Sequence, residues 1–177
     1  MHIHVAEKKD LDRIYEFYDL IIDHQKEDEY GPGWTKDIYP SYEILKDKIE
    51  NDLFFIAEEE GDIIAAGALM LHEEEDYKKA KWLTSYKDDE IAVLHLYAID
   101  PSYRGKGISQ VFLEYITKEA SKYVKAIHLD IVKGNLPARK TYEKAGFVLA
   151  DEIEMFYIDT GTICVELMEY DIENHIS

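Results

Sequence analysis

A single α/β domain, with a mixed sheet covered by helices on both faces, is the fold class this chain predicts, and three observations carry it. The length of 177 residues suits one domain with one sizeable core. Apolar periodicity switches between strand-like and helix-like runs in the order β-α-α-β-β-β-α-β-α-β-β, seven strands in all. Strands that come in a run and then alternate with helices are the pattern of a mixed sheet packed on both sides. With 4 Pro and 9 Gly, no repeat and no Ser- or Gln-rich tract, nothing reads as a linker, so one domain is expected over residues 1–177.

The elements follow in order. Residues 2–7 are a short strand-like start. From Lys8 to Gln25 the spacing of Leu11, Ile14, Tyr18, Ile21 and Ile22 predicts an amphipathic helix with acidic residues outward. The stretch Glu29 to Pro40, broken by Gly31-Pro32-Gly33 and Tyr39-Pro40, is expected to be a loop. Ser41 suits an N-cap for a second helix through Glu50, with Tyr42, Leu45 and Ile49 on its buried side. Two strands, Leu53 to Glu58 and Asp62 to Leu71, are joined by the hairpin signal Glu59-Glu60-Gly61. The polar stretch His72 to Glu90 then separates this hairpin from a strong strand, Ile91 to Ile99, which Asp100-Pro101 ends. A helix from Gly107 to Tyr123 comes next, then strand Ala126 to Val132, a helix from Leu136 to Ala145, and strands Phe147 to Tyr157 and Thr162 to Tyr170. The last of these is read as an apolar edge strand, which natural proteins cover, so a homodimer is expected.

Charge narrows the function. Twenty Lys+Arg against 38 Asp+Glu give a net charge of −18. That balance repels phosphate backbones and, with no basic run, argues against nucleic acid as a partner, while it attracts a small cationic substrate. One cysteine, Cys164, allows no internal disulfide and is expected to pack rather than react. The N-terminus lacks the blocks of a signal peptide, and the longest apolar stretch, Ile63 to Leu71, is far short of the ~18 residues a bilayer requires. A soluble, cytoplasmic protein without a membrane partner is the expectation. His2 and His4 sit two apart on a strand, but no third ligand accompanies them, so no metal is expected.

Chemistry concentrates in one segment. Ile99-Asp100-Pro101-Ser102-Tyr103-Arg104-Gly105-Lys106-Gly107-Ile108-Ser109 joins a buried strand to a helix through a basic, Gly-containing turn. Such a turn aims backbone N–H groups and a helix N-terminus at one spot, which suits a pyrophosphate. Glycines permit positive φ there and remove the Cβ that would hold an anion away from the amides. The turn lacks the ending of a P-loop and the three-glycine spacing of a dinucleotide site, so ATP and NAD are poorer readings than another diphosphate.

With these residues in hand, the sequence resembles the GNAT superfamily of N-acetyltransferases. Ala98-Ile99-Asp100-Pro101 followed by Arg104-Gly105-Lys106-Gly107-Ile108-Ser109 is similar to its signature turn, with Ser109 where Gly or Ala is usual. Its second element is matched by strand Ala126 to Val132, then Asn135, Ala138, Tyr142 and the ending Glu143-Lys144-Ala145-Gly146-Phe147. The resemblance covers residues 91–147. It implies a mostly antiparallel mixed sheet and acetyl-CoA as acetyl donor to an amine. It also implies a splayed central strand whose backbone at Tyr97, Ala98 and Ile99 pairs with the pantetheine arm, and a pyrophosphate held by the amides of Arg104, Gly105, Lys106, Gly107, Ile108 and Ser109. Asn135 would lie along the donor and Tyr142 near its sulfur.

Transfer to an amine asks for a base, an oxyanion donor and an acid for the departing thiolate. Tyr142 suits the acid, since a phenol is protonated at neutral pH. His95, interrupting the apolar run Val93-Leu94-His95-Leu96, suits the base, and its place resembles the strand histidine of the arylalkylamine N-acetyltransferases. Glu90 and an ordered water remain alternatives. The resemblance also implies that the first helices and the loop between them wall an acceptor pocket, here near Tyr30, Trp34, Tyr39 and Tyr42; equally, Trp34 and Tyr39 only pin the loop down. Nearby Asp28, Glu29 and Asp37 add negative charge. A small-molecule primary amine or amino-acid-like acceptor is expected; a protein N-terminus or lysine, or a non-catalytic acyl-CoA sensor, are the competing readings.

Overall fold

The computed structural model describes residues 1–158 and 160–175. Seven strands form one sheet in the order β1-β2-β3-β4-β5-β7-β6. These are β1 (His2–Val5), β2 (Leu53–Glu59), β3 (Asp62–Met70), β4 (Ile91–Ile99), β5 (Ala126–Val132), β6 (Val148–Tyr157) and β7 (Gly161–Asp171). All neighbours pair antiparallel except β4 and β5, which run parallel because a helix returns the chain between them. The helices are α1 (Leu11–His24), α2 (Tyr42–Asn51), α3 (Ile108–Ala120), α4 (Leu136–Lys144) and the single turn α5 (Ile172–His175).

Alternation along β2 shows why both faces are covered. Phe55 and Ala57 join a cluster with Phe112, Leu113 and Ile116 of α3 and Tyr142 of α4. Phe54 and Ile56, pointing the other way, join Ile14, Phe17, Tyr18 and Ile21 of α1 and Leu45 of α2. The Ile44 amide donates to the Ser41 hydroxyl at 3.3 Å, so Ser41 is the N-cap of α2 as expected. Tyr42 is not on the buried side of that helix; it is exposed, and its hydroxyl donates to Asp12 at 2.7 Å.

Two features differ from the sequence reading. The strand expected at an edge, Thr162 to Tyr170, is β7, paired on one side with β5 and on the other with β6. Its apolar character reflects that interior position, and the reason for expecting a homodimer does not hold for it. The edges are β1 and β6, the latter carrying exposed Val148 and Phe156. The polar stretch 72–90 is also more than a separator. It folds over the sheet through 3-10 turns at Glu75–Lys79 and Asp88–Glu90. There it seals a third cluster of Met70, Tyr77, Val93, Met155, Val165 and Leu167.

The strand that matters most is irregular. Ala66 pairs with Ala98 and Ala68 with His95, so Gly67 on β3 faces both Leu96 and Tyr97 on β4. Leu96 has φ +55, a bulge that shifts the alternation by one residue. Ala92 and Leu94 point to the α3 face, whereas Leu96 and Ala98 point to the α1 face. The Tyr18 hydroxyl of α1 donates to the Leu96 carbonyl at 2.5 Å, holding the bulge from below.

Candidate active site

The parallel pairing of β4 with β5 stops at Val93 opposite His128. Beyond it the two strands separate, and the backbone of β4 from Leu94 onward has no β5 partner. A groove of about 730 Å³ begins along Tyr97, Ala98 and Ile99, passes the Arg104 to Gln110 turn and reaches α4 at Asn135, Ala138 and Tyr142. Gly105 and Gly107 have φ +74 and +82 with nothing within 4 Å of where a Cβ would stand, which leaves their amides open. Gly107 is the N-cap of the thirteen-residue α3. An open run of amides at the positive end of a helix dipole suits an anion. Ser109 is accommodated because the Tyr97 hydroxyl lies 2.8 Å from its Oγ and donates to its carbonyl at 2.9 Å, tying β4 to α3.

A second, smaller cavity of about 170 Å³ adjoins the groove, and Trp34, Tyr97, Asn135, Ala138 and Tyr142 line both. Its own walls bring together Tyr39, His95, Asp130 and Tyr157. The His95 Nε2 stands 3.4 Å from the Glu74 carboxylate, and the hydrogen bond from His95 draws Glu74 below the usual carboxylate range despite its burial. Asp130 accepts hydrogen bonds from the hydroxyls of Tyr157, at 2.7 Å, and Tyr77. Tyr142 is buried against Tyr97 and Phe147, with ring centroids 5.7 and 5.6 Å away. Burial pushes its phenol well above the ordinary tyrosine value, with Tyr97 and Asp130 adding to the shift. It therefore keeps its proton at neutral pH and is available as a donor.

The sequence model of the acetyltransferase (GNAT) family matches residues 14–147, about three quarters of the chain. The chain belongs to this family. Its fold is shared with solved structures at low identity. A spermidine N-acetyltransferase chimera from Vibrio cholerae and a second source is 18% identical with a TM-score of 0.70, covering 99% of this chain and 98% of that one. A protein from Salmonella typhimurium, solved with its cofactor acetyl-CoA, is 16% identical with a TM-score of 0.68, covering 99% and 96%. A ribosomal-protein-alanine N-acetyltransferase from Brucella melitensis is also 16% identical with a TM-score of 0.68, covering 97% and 99%. No curated protein matches by sequence. The GNAT donor acetyl-CoA fits what the chain presents: a glycine cradle for its phosphates and an unpaired strand edge for its amide-bearing arm. Among the described residues, no group of three or more His, Cys, Asp or Glu is arranged to hold a metal, and no helix is long and apolar enough to cross a membrane.

Within this GNAT frame the expected residues divide. Tyr97, Ala98, Ile99, Arg104, Gly105, Gly107, Ile108, Ser109, Asn135 and Tyr142 line the groove. Lys106 does not; its ammonium lies over the Tyr103 ring at 4.6 Å. One guanidinium nitrogen of Arg104 sits 2.8 Å from both carboxylate oxygens of Asp28. Asn135 caps α4, accepting from the Ala138 amide at 3.1 Å. Tyr30 belongs to the large groove and not to the small cavity, whereas Tyr39 lines only the latter and Trp34 both. Glu90 is brought to neither. It stands before the first residue of β4, five positions from His95, with its carboxylate 2.8 Å from Lys125 and accepting from the Lys87 amide at 2.9 Å. Of the acidic residues near the loop, Asp28 is held by Arg104 and Asp37 accepts from Tyr15 at 2.6 Å.

Asp130, Tyr157 and Glu74 escaped the sequence reading. For Asp130 a signal was present: it interrupts the apolar strand Ile127 to Val132 as His95 interrupts its own. For Glu74 and Tyr157 there was none, because the one lies in an acidic run and the other is one of 14 tyrosines.

Proposed function

We propose that this acetyltransferase modifies the primary amine of a small cationic or aryl-bearing molecule, bound in the cavity between β4, β5 and the loop carrying Trp34 and Tyr39. The observation that carries this reading is the meeting of a donor-sized groove and a small aromatic cavity at Tyr97 and Tyr142. A volume of about 170 Å³ compares with the roughly 150 Å³ that holds a benzene ring, so it suits one compact group better than a length of peptide. Trp34, Tyr39 and Tyr157 place aromatic rings on its walls, which suit a cation, and Asp130 adds a carboxylate. The chain's net charge of −18 draws such a molecule in.

Roles follow from position. Asp130 receives the incoming ammonium. His95, oriented by Glu74, takes the proton that the amine must shed, since histidine is the side chain whose ordinary titration lies nearest neutrality. When bound, acetyl-CoA supplies a thioester whose carbonyl carbon accepts the amine. Tyr142 then gives its proton to the departing thiolate.

The test is acetyl-CoA consumption against alkyl diamines, arylalkylamines, amino acids and N-terminal peptides, repeated with Asp130→Asn. Turnover concentrated in compact amines, with an acceptor KM raised at least about tenfold by Asp130→Asn, supports the proposal. Preference for peptides would replace it with a protein acceptor.

A further inference from the structure

We infer that the buried cluster Glu73, His128 and Glu169 positions the acceptor side of the site, by holding the segment 73–82 so that Glu74 meets His95 and Tyr77 meets Asp130. This rests on the acceptor reading above and adds residues that line neither cavity.

The cluster is built from three elements. His128 on β5 is 1% exposed; its Nδ1 is 2.8 Å from the Glu73 carboxylate and its Nε2 3.0 Å from that of Glu169 on β7. An ionised carboxylate only accepts, so an imidazole with a proton on each ring nitrogen can serve both of these partners at once. Burial pulls the His128 pKa down, but the hydrogen bonds to Glu169 and Glu73 outweigh it and leave the value raised. The Trp82 indole stacks on the ring at 3.5 Å with planes 10° apart, the arrangement in which an aromatic face attracts a cation. Its Nε1 donates to the Tyr77 carbonyl at 3.1 Å. From β4 the residue in register with His128 is the apolar Val93; on β5 the next residue on that face is Asp130. The Thr84 amide approaches the Glu169 carboxylate at 3.5 Å.

Taking these charges out of water is costly, so a packed apolar trio would hold this face at least as well. What the ions add is direction. The segment 73–82 belongs to no strand of the sheet, so side chains must fix it. Glu73 is fixed by His128, and the next residue, Glu74, reaches His95. Trp82, stacked on His128, holds the Tyr77 carbonyl, and the Tyr77 hydroxyl reaches Asp130. The cluster thus connects to His95 and Asp130 of the small cavity, and none of the contacts named here reaches the Arg104 to Ser109 turn.

Because the His128 pKa is raised, its contribution is complete below the ordinary histidine value of about 6.5 and fades as pH rises through the raised value. The test is Glu73→Gln, which keeps the shape and one acceptor oxygen for His128, and removes one charge together with the acceptor of the Glu74 amide. Acceptor kcat/KM across about pH 6 to 9.5, the acetyl-CoA dissociation constant, the melting temperature and the imidazole NMR signal of His95 are read on wild type and variant. Positioning predicts kcat/KM lower by about ten- to a hundredfold, an alkaline limb moved to lower pH, an unchanged acetyl-CoA constant and a shifted His95 signal. A lower melting temperature with a parallel pH profile and an unmoved His95 signal would overturn it. Should Glu73→Gln fail to fold, Trp82→Phe, which keeps the stack and loses the bond to Tyr77, is read the same way. If wild type acetylates no small amine, the acceptor reading fails by itself, and the His95 signal still decides the positioning.

Discussion

The groove and the small cavity share Tyr97 and Tyr142 but are made differently. The groove is largely backbone: an unpaired strand edge from Tyr97 to Ile99, two glycines with positive φ, and a helix N-terminus, all within residues 97–110, completed by α4 and by the loop that carries Asp28, Tyr30 and Trp34. The cavity is side chains delivered from far apart, Trp34 and Tyr39 from a loop, His95 from β4, Asp130 from β5 and Tyr157 from β6. A backbone site is indifferent to most substitutions and sensitive to those that change φ. A side-chain site can be retuned one residue at a time, which is how one donor comes to serve many acceptors on one fold.

The largest expected effect lies where the two regions meet. Tyr142→Phe keeps the ring packed against Tyr97 and Phe147 and removes one hydroxyl, so kcat should fall by about 10²–10⁴-fold while the acetyl-CoA dissociation constant stays near wild type. Wild-type turnover in a steady-state assay would reduce Tyr142 to packing.

His95→Gln tests the acceptor side alone. Activity near neutral pH should drop by about 10²-fold and recover, relative to wild type, as pH rises and more of the amine is already neutral. A kcat/KM profile parallel to wild type at every pH, with only a lower melting temperature, would make His95 structural.

The same contrast explains what the sequence disclosed. The Arg104 to Ser109 turn and the seven-residue step from Asn135 to Tyr142 are local, so their chemistry is written in adjacent letters. His95 betrays itself by polarity inside an apolar strand. Strand order is not local: the apolar run that became β7 reads identically whether it is an edge or, as here, lies between β5 and β6. Nor does an acidic stretch announce that Glu73 is buried against His128 while Glu75, two residues on, is solvent-exposed. Such partners are fixed by tertiary packing of segments about fifty residues apart, and no period within either segment encodes them.

Gly107→Val addresses the donor side. A branched residue at φ +82 is strained, and its Cβ would stand where the cradle is open. Acetyl-CoA should bind at least about tenfold more weakly, a loss of about 1.4 kcal/mol, measured by calorimetry on folded protein. An unchanged constant would remove the phosphate cradle from this turn.

The smallest effect separates backbone from side chain within the groove itself. Arg104 lines it, yet its guanidinium is held by Asp28, whose carboxylate would stand near an anionic donor. Ion pairs with one partner this exposed are worth about 0.2–1 kcal/mol, so releasing Arg104 changes affinity by less than about fivefold. The direction is informative. Asp28→Asn removes a negative charge beside the groove and frees the guanidinium, so acetyl-CoA should bind slightly tighter, and the gain should shrink as salt screens it. Weaker binding in Asp28→Asn, unaffected by salt, would mean that Asp28 aims Arg104 at the donor and that the groove depends on a side-chain pair after all.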